Sequence, residues 1–313
     1  MWFSNYLYLS ASFASPRLCE RSFLDILLQN MMNISQMPLL DERSLTFNGP
    51  ALVMAIVNCN EDSFYKPSRA LREKAVEMAL AAEKDGASIV DFGAESSRPG
   101  SSYVSAEEEM ERLIPIISAF RKSSSLPVSV DTRKAVVAAA ALDAGADIIN
   151  DISALSDDPE MAGLAARRSA AVVLVHKKGI PLTMQEAPQY EDLIAEIGSF
   201  FRSAVARAAA AKIPEEKIIL DPGLGFGKTL ENNLEILSRL AEISRRDYPI
   251  LIGVSRKSFI GEITGRRDAE RRLAGTLAAN GAAIMGGANI IRVHDVKEHV
   301  DLAKMLFAIK PEF

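Results

Sequence analysis

The sequence predicts an α/β protein built as a single (β/α)8 barrel of the TIM type, and three observations favour this fold. From residue 51 onward, short apolar runs rich in β-branched residues alternate with longer stretches of Ala, Leu and Glu at helical spacing. The runs are hydrophobic almost without interruption, which is typical of parallel strands covered on both faces. The joint between a helix and the next strand recurs three times in similar form, so the repeating unit is one strand followed by one helix.

Taken in order, eight runs are predicted as strands: 51–58, 88–95, 127–132, 147–152, 171–176, 217–222, 249–255 and 289–295. Helices are predicted to follow them, for example at 71–84, 106–120, 134–144, 269–285 and 296–309. The three similar joints start at Gly86, Gly145 and Gly287, where glycine can take the left-handed conformation that ends a helix. Eight such units over about 260 residues match the usual size of the barrel. An open doubly wound sheet is the competing architecture, but the sequence lacks its dinucleotide-binding fingerprint.

The barrel is expected to occupy residues 41–313, with no linker that would mark a second domain. Residues 41–50, with Asn48-Gly49 before Pro50, are predicted as a short turn or hairpin that closes the bottom of the barrel. Residues 1–40 are interpreted as an N-terminal extension that is either disordered or not translated. Their beginning faintly resembles a signal peptide, but the first basic residue is Arg17, so the early positive charge of such peptides is missing.

Composition and charge favour small-molecule partners. The 313 residues include 36 Lys and Arg against 41 Asp and Glu, which gives a formal charge of −5 without a run of five like charges. This balance argues against nucleic acid or an anionic membrane surface as a partner. No apolar run reaches the roughly 18 residues that span a bilayer. Two cysteines, Cys19 and Cys59, are too few for a disulfide framework, and we expect a cytoplasmic location.

Polar residues end every predicted strand, where the reactive groups of such a barrel lie. These residues are Asn58, Glu95, Asp131, Asn150, Asp151, His176, Asp221, Ser255, Arg256, Lys257, Arg292, His294 and Asp295. As an alternative, three of the aspartates would cap the helix or turn that follows them, namely Asp131, Asp151 and Asp295. Amides and carboxylates lie on one side of this set and cations on the other. The sequence therefore predicts a ligand with a hydrogen-bonding ring and an anionic tail.

Other motifs are excluded by their spacing. The segment DPGLGFGKT at 221–229 contains Gly-Lys-Thr, but Pro222 stands where a phosphate-binding loop needs its first glycine. It is interpreted as a flexible loop where a flat ligand can approach the backbone and Phe226 can stack on it. The three histidines lack the spacing of a zinc site. Cys59 is interpreted as a small buried hydrophobic residue because no base is arranged beside it.

Seven ordered motifs resemble those of the dihydropteroate synthases, the pterin-binding enzymes of folate synthesis. They are MAIVN at 54–58 with Asp62-Ser63-Phe64, GAESSRPG at 93–100, SVDT at 129–132, IND at 149–151, DPGLGFGK at 221–228, GVSRKSFIG at 253–261 and RVHDV at 292–296. The resemblance implies a transferase that joins p-aminobenzoate to 6-hydroxymethyl-7,8-dihydropterin pyrophosphate and releases pyrophosphate in the presence of Mg²⁺. It also implies a homodimer and a sulfonamide target.

The resemblance further implies roles for individual residues. Those that hold the pterin are Asp131, Asn150, Asp221 and Lys257. Those that hold the pyrophosphate and its metal are Arg292, His294 and Asn58, and Asn58 is the Mg²⁺ ligand. Those that belong to a mobile loop closing the site are Ser97 and Arg98. Those that border the p-aminobenzoate pocket are Phe226, Lys257, Ser258 and Pro99, beside Gly225. Those that carry the catalytic step are Lys257, Arg292, His294 and Asp131.

The sequence departs from the family pattern in its first loop. Cys59-Asn60-Glu61 stands where the family usually has Val-Thr-Pro, and Glu61 brings a negative charge close to the expected pyrophosphate site. Ser97 replaces the usual threonine, and Lys177 replaces a common methionine. Two other functions are therefore kept as alternatives: a non-catalytic pterin-binding paralogue, and a methyltetrahydrofolate-dependent methyltransferase. The second alternative has no use for the cationic groups expected at a pyrophosphate.

Overall fold

A barrel of parallel strands organises the computed structural model, which describes residues 34–59, 69–95, 104–179, 188–244 and 247–309. The first two strands, β1 (Gln36–Pro38) and β2 (Ser44–Thr46), form an antiparallel hairpin. The barrel strands are β3 (Leu52–Asn58), β4 (Ile89–Gly93), β5 (Val128–Asp131), β6 (Ile148–Asp151), β7 (Ala171–Val175), β8 (Ile218–Asp221), β9 (Leu251–Ile252) and β10 (Ile290–Val293). The order of neighbours is β8, β7, β6, β5, β4, β3, β10 and β9. A parallel bridge between Leu220 and Ile250 joins the two ends of this sheet, so the predicted (β/α)8 barrel is confirmed.

Helices surround the barrel strands. They are α1 (Arg69–Lys84), α2 (Ala106–Arg121), α3 (Ala135–Asp143), α4 (Met161–Arg168), α5 (Leu193–Ala210), α6 (Leu230–Ser238), α7 (Leu240–Ile243), α8 (Ser258–Thr264), α9 (Leu273–Met285) and α10 (Val296–Ile309). The helix predicted at 269–285 begins instead as a 3-10 turn, Ala269–Arg272, and becomes α-helical at Leu273. Within the described residues, no helix has both the length and the hydrophobicity needed to cross a bilayer.

The three repeated joints adopt the predicted conformation. Gly86, Gly145 and Gly287 have φ angles of 99°, 109° and 103°, a region that side chains with a Cβ rarely occupy. Each glycine ends a helix and lets the chain turn directly into the next strand. Their local sequence therefore sets where β4, β6 and β10 begin.

The barrel has an apolar interior at its lower end. Inward-facing residues of the strands, among them Met54, Ile89 and Ile219, belong to one buried cluster with Met37 and Leu45 of the hairpin. A second, larger cluster lies between the sheet and the helices. The hairpin thus closes the bottom of the barrel, as predicted.

The turn of this hairpin lies elsewhere than predicted. It is formed by Asp41 and Glu42, with φ angles of 48° and 61°, and the backbone N–H of Arg43 donates to Leu40 O at 3.1 Å. Two consecutive positive φ angles match the twist of a two-residue hairpin, and Asp tolerates this region better than most residues. The hairpin consequently starts at Gln36, upstream of the boundary at 41 drawn from the sequence.

Asp147 anchors the hairpin to the barrel. Its fully buried carboxylate accepts hydrogen bonds from Arg43 Nε at 2.9 Å, Arg43 Nη2 at 2.7 Å, Arg121 Nη2 at 3.0 Å and the backbone N–H of Val128 at 2.9 Å. The Nζ of Lys217 also donates to Pro38 O at 2.6 Å. Charged groups therefore stabilise the amino-terminal end of the barrel. The polar residues of the strand ends lie at the opposite, carboxyl-terminal end.

Candidate active site

The inner face of the barrel changes from apolar to polar toward the carboxyl ends of the strands. Residues two apart on a strand share a face. Ile89 and Ile148 belong to the apolar interior, and Asp91 and Asn150 stand two residues further along the same strands. The strand register places Asp131 beside Asn150. A polar layer therefore lies directly above the apolar one.

Arg292 lies at the centre of this layer. Its Nε donates to Asp91 Oδ2 at 2.6 Å, and its Nη2 donates to Asp131 Oδ2 at 2.9 Å. The sequence predicted this guanidinium at the pyrophosphate, whereas the structure pairs it with two carboxylates. Burial raises the pKa of Asp131 to about 7; Arg292 opposes this rise and the charge of Asp91 adds to it. With two carboxylates for one guanidinium, the cluster suits a ligand edge that is rich in N–H donors.

Sequence reasoning missed Asp91, because it considered only the ends of the strands. The signal was a carboxylate inside the apolar run Ile89–Gly93. The side chain is fully buried, and its Oδ2 accepts a further hydrogen bond from Asn150 Nδ2 at 3.3 Å. Within the described part of the chain, Asp91 Oδ1 and Asn150 Oδ1 are buried without a hydrogen-bond partner. Since such atoms cost about 1–3 kcal/mol each, they indicate where ligand donors bind.

Asp221 and Lys257 face each other across the place where the barrel closes. Burial raises the pKa of Asp221, and both the backbone N–H of Gly223, at 2.7 Å from Oδ1, and the charge of Lys257 oppose that rise. Burial lowers the pKa of Lys257 to about 8, and the charge of Asp221 opposes it. The Nζ of Lys257 donates to Leu224 O and lies 4.5 Å from the centre of the Phe226 ring. A carboxylate, an ammonium group and an aromatic ring therefore meet at one point.

The loop that carries Phe226 depends on glycine. Gly223, Gly225 and Gly227 have φ angles of 64°, 80° and 63°. A Cβ at Gly223 would lie 1.9 Å from His176 O, and one at Gly225 would lie 3.0 Å from Lys257 Cδ. The backbone of this loop therefore packs directly on the end of β7 and on the lysine side chain, which fits the predicted role of Gly225 beside a flat ligand.

Two pairs tie the end of β9 to the end of β10. Ser255 Oγ lies 2.9 Å from His294 Nδ1 and accepts a hydrogen bond from the backbone N–H of His294 at 3.1 Å. Arg256 forms a bidentate pair with Asp295, with Nε donating at 3.0 Å and Nη2 at 2.5 Å. Arg256 is therefore held by Asp295 and positions the turn, whereas the sequence grouped it with the cations of the mouth. Ser258 is exposed as the first residue of α8.

The capping alternative holds for one of the three aspartates. Asp151 accepts hydrogen bonds from the backbone N–H groups of Ser153 and Leu155 at 2.7 and 2.8 Å, so it stabilises its own loop. Asp131 is bonded to Arg292, and Asp295 is bonded to Arg256. The predicted pterin set thus lies together, while Asp151 belongs to the scaffold beside it.

Asn58, the predicted metal ligand, ends β3 with its side chain exposed at the mouth. In the described ranges, no group of three or more His, Cys, Asp and Glu side chains is arranged to hold a metal ion. A single amide oxygen fits Mg²⁺ only if phosphate oxygens and water complete its shell, which is a coordination that Mg²⁺ often has. Cys59 is partly buried beside it, and burial raises the pKa of its thiol to about 12, which agrees with a non-reactive side chain.

Three predicted site residues, Ser97, Arg98 and Pro99, lie outside the described residues. The altered first loop beyond Cys59, including Glu61, lies outside them as well. Lys177 is described, and its Nζ pairs with Asp157 at 2.8 Å.

Comparison with known proteins gives a consistent result. The family model described as "Pterin binding enzyme" matches residues 54–294. A dihydropteroate synthase of Escherichia coli (strain K12) is 45% identical over 258 residues, which cover 82% of this chain and 90% of that protein. The fold matches a Yersinia pestis dihydropteroate synthase solved with a sulfonamide drug, with a TM-score of 0.83, 37% identity, and coverage of 88% of this chain and 98% of that one. It also matches a Xanthomonas albilineans dihydropteroate synthase in complex with 7,8-dihydropteroate, with a TM-score of 0.77, 38% identity, and coverage of 87% and 98%.

Proposed function

The chain belongs to the pterin-binding enzyme family, and from this premise we propose that it is a transferase of folate synthesis with dihydropteroate synthase activity. In this reaction the methylene carbon of 6-hydroxymethyl-7,8-dihydropterin pyrophosphate loses its C–O bond to pyrophosphate and gains a C–N bond to p-aminobenzoate. The nitrogen loses one proton, and 7,8-dihydropteroate is formed. The observation that carries the proposal is the single polar cluster at the barrel mouth, formed by Asp91, Asp131, Asn150 and Arg292 with Asp221 and Lys257 beside it.

The pterin ring binds within this cluster. Its 2-amino group and N3–H form a two-donor edge, and the carboxylate of Asp221 accepts both hydrogen bonds. The buried oxygens of Asp91 and Asn150 that have no described partner accept further N–H groups of the ring. The ammonium group of Lys257 opposes the rise that burial causes in the pKa of Asp221, which favours the carboxylate form. These contacts fix the ring with its methylene group toward the open mouth.

The protein assists departure of pyrophosphate by electrostatics. Positive charge builds up on the methylene carbon and spreads into the dihydropterin ring, and the two carboxylates paired with Arg292 stabilise it. Negative charge builds up on the leaving group at the rim, where His294 is held by Ser255. Arg292 uses two of its five N–H donors on Asp91 and Asp131, so donors remain for the phosphate oxygens. The reaction needs no protein nucleophile, because the arylamine attacks the carbon directly.

The arylamine binds beside Lys257. The Phe226 ring, 4.5 Å from Lys257 Nζ, offers one face of the pocket, and the exposed Ser258 offers a hydroxyl group for the carboxylate of p-aminobenzoate. Holding the amine nitrogen close to the methylene carbon supplies much of the rate enhancement. A sulfonamide competes for this pocket, since it presents the same aromatic amine.

Mg²⁺ is the proposed cofactor, and Asn58 is the residue of this chain that holds it. When bound with pyrophosphate, the ion neutralises the charge of the leaving group. The amide oxygen of Asn58 orients that group beside the end of β10, because β3 and β10 are neighbours in the barrel.

A homodimer is the proposed assembly. Large apolar side chains are exposed on α6, α9 and α10, and α9 packs against both of the other helices. These side chains are Leu234, Met285, Met305, Phe307 and Ile309. Burial of such a face against a second copy is favourable. The acidic charge and low cysteine content support a cytoplasmic enzyme whose partners are small molecules, without nucleic acid.

The test is a turnover assay with purified protein, both substrates and Mg²⁺. We expect dihydropteroate and pyrophosphate in equal amounts. Lys257→Ala and Asp131→Ala are each expected to reduce kcat/KM by more than about 100-fold, since each removes a charge from the buried cluster. Lys297→Ala, at an exposed position on α10, is the control and should leave the rate unchanged.

Two outcomes would replace the proposal with one of the alternatives. Tight binding of the pterin substrate without release of pyrophosphate would identify a non-catalytic paralogue. Transfer of a methyl group from methyltetrahydrofolate to a corrinoid protein would identify a methyltransferase.

A further inference from the structure

Lys228 is a buried lysine that the proposed reaction does not use. It belongs to the Gly-Lys-Thr sequence whose spacing excludes a phosphate-binding loop, and its side chain is only 3% exposed. A lysine in such a position needs polar partners for each of its three donors, because burial of an unsatisfied ammonium group is costly. The partners of its Nζ therefore indicate why it is there.

The three donors of Lys228 are matched by three acceptors. Its Nζ donates to Gly223 O at 2.9 Å and to Phe226 O at 3.1 Å, and it lies 2.9 Å from His176 Nδ1. His176 O lies at the longer distance of 3.5 Å. Two of the acceptors belong to the loop that Lys228 ends, and the third belongs to the residue after β7. The amino group of Lys228, whose pKa burial lowers to about 7, thus links the loop to the residue that follows β7.

His176 is suited to accept this hydrogen bond. Burial and, after it, the charge of Lys228 lower the pKa of its imidazole to about 2, so the ring stays neutral. A neutral ring with its proton on Nε2 has a lone pair on Nδ1. The ring also packs edge-on against Phe200, with 4.8 Å between centroids, which holds Nδ1 in place.

The loop itself has little intrinsic rigidity. Gly223, Gly225 and Gly227 all have positive φ angles, and glycine loses more conformational freedom than any other residue when it is ordered. Tyr190 Oη supports the far end by donating to Gly227 O at 2.8 Å. At the centre of the loop, the backbone N–H of Gly225 donates to Asn233 Oδ1 at 2.7 Å, and Lys228 holds the carbonyl groups of Gly223 and Phe226 on either side.

The fastened loop carries the groups that face the arylamine. Leu224 O accepts from Lys257 Nζ, and the Phe226 ring lies 4.5 Å from the same atom. A shift of the Phe226 carbonyl away from Lys228 would move this ring. The position of Lys228 Nζ therefore sets the position of the Phe226 ring, which forms the proposed wall of the pocket.

We propose that Lys228, with His176 Nδ1 as one of its partners, is a positioning residue that fixes the 223–227 loop for binding of the arylamine substrate. The assignment of the substrate rests on the proposed function. The ordering of the loop does not depend on it.

Lys228→Met tests the proposal, because methionine keeps the length of the side chain and removes every donor. We expect KM for p-aminobenzoate to rise about 20-fold, at least about fivefold more than KM for the pterin pyrophosphate, which rises less because Lys228 acts on Asp221 only through its charge. Lys217→Met is the matched control: this buried lysine holds Pro38 O at the opposite end of the barrel, so its loss should reduce stability and leave both KM values unchanged. Equal rises in both KM values for Lys228→Met, or no rise at all, would overturn the proposal.

A second pair of variants keeps the test decisive if Lys228→Met does not fold. His176→Asn retains an acceptor near the position of Nδ1, and His176→Leu removes it at similar volume. We expect His176→Leu to raise KM for p-aminobenzoate at least about fivefold more than His176→Asn does. Equal values for the two variants would contradict the role of the acceptor.

Hydrogen exchange gives a readout that does not require turnover. The amides at 223–227 should exchange at least about tenfold faster in the Lys228→Met or His176→Leu variant than in the wild type, with the barrel strands unchanged. If wild-type protein forms no dihydropteroate, the proposed function fails while exchange still decides whether Lys228 orders the loop. Unchanged exchange at 223–227 would overturn that part.

Discussion

Asp147→Asn should be among the most destabilising single changes in the floor of the barrel. The carboxylate is fully buried and accepts four hydrogen bonds, three of them from Arg43 and Arg121. Loss of its charge leaves the two guanidinium groups without the buried carboxylate that they share. Breaking a buried pair in this way typically costs about 3–5 kcal/mol, and we expect a loss of about 4 kcal/mol in the free energy of unfolding.

Urea denaturation measures this loss. At a slope of about 3 kcal/mol per M, a loss of about 4 kcal/mol lowers the midpoint by about 1.3 M. Asp41→Asn is the matched control, since Asp41 pairs with the same Arg43 at 3.3 Å but its side chain is 82% exposed. This control is expected to change the free energy of unfolding by less than about 1 kcal/mol. Similar midpoints for the two variants would refute the reasoning that burial of the carboxylate decides the cost.

Three further predictions concern the site. Gly223→Ala should destabilise the protein by at least about 1 kcal/mol more than Gly265→Ala. Both positions have a positive φ, but only at Gly223 would a Cβ meet a carbonyl oxygen, that of His176. Thermal unfolding measures the difference, and equal losses of stability would contradict this prediction. The value of kcat/KM for the pterin substrate should fall above about pH 8, since Lys257 is charged below its lowered pKa and neutral above it. Lys257→Arg should shift this fall to higher pH. An unchanged pH profile would exclude Lys257 as the origin of the fall. Asn58→Ala should raise the Mg²⁺ concentration for half-maximal activity about tenfold, measured by titration of the metal in the turnover assay, and an unchanged requirement would remove Asn58 as the ligand.

The sequence predicted the barrel well because the signals for it are local. Apolar runs mark the strands, and the Gly-Ala joints at Gly86, Gly145 and Gly287 mark the boundaries where the φ angles turn positive. The turn of the hairpin was predicted at the wrong position, because Asn48-Gly49 is a strong local turn signal. In the structure, burial of Met37 and Leu45 decides the register of the hairpin.

The partners within the site were harder to predict, because they are distant in sequence. Arg292 and Asp91 are 201 residues apart, and Arg256 and Asp295 are 39 apart. Which carboxylate each arginine meets follows from the order and register of the strands. The positions of the strand ends therefore predicted which side chains lie at the mouth of the barrel. They did not predict which of these side chains pair with each other, or which atoms accept hydrogen bonds from Lys228.

The barrel closes next to the two residues proposed to bind the pterin, Asp221 and Lys257. In the described residues, one parallel bridge closes the barrel, between Leu220 of β8 and Ile250, which directly precedes β9. Asp221 follows the first of these residues directly, and Lys257 stands beyond the second. In the proposed binding mode, a pterin bound to both side chains would link β8 to the loop after β9, so the substrate would reinforce the closure of the barrel where the backbone supplies one bridge.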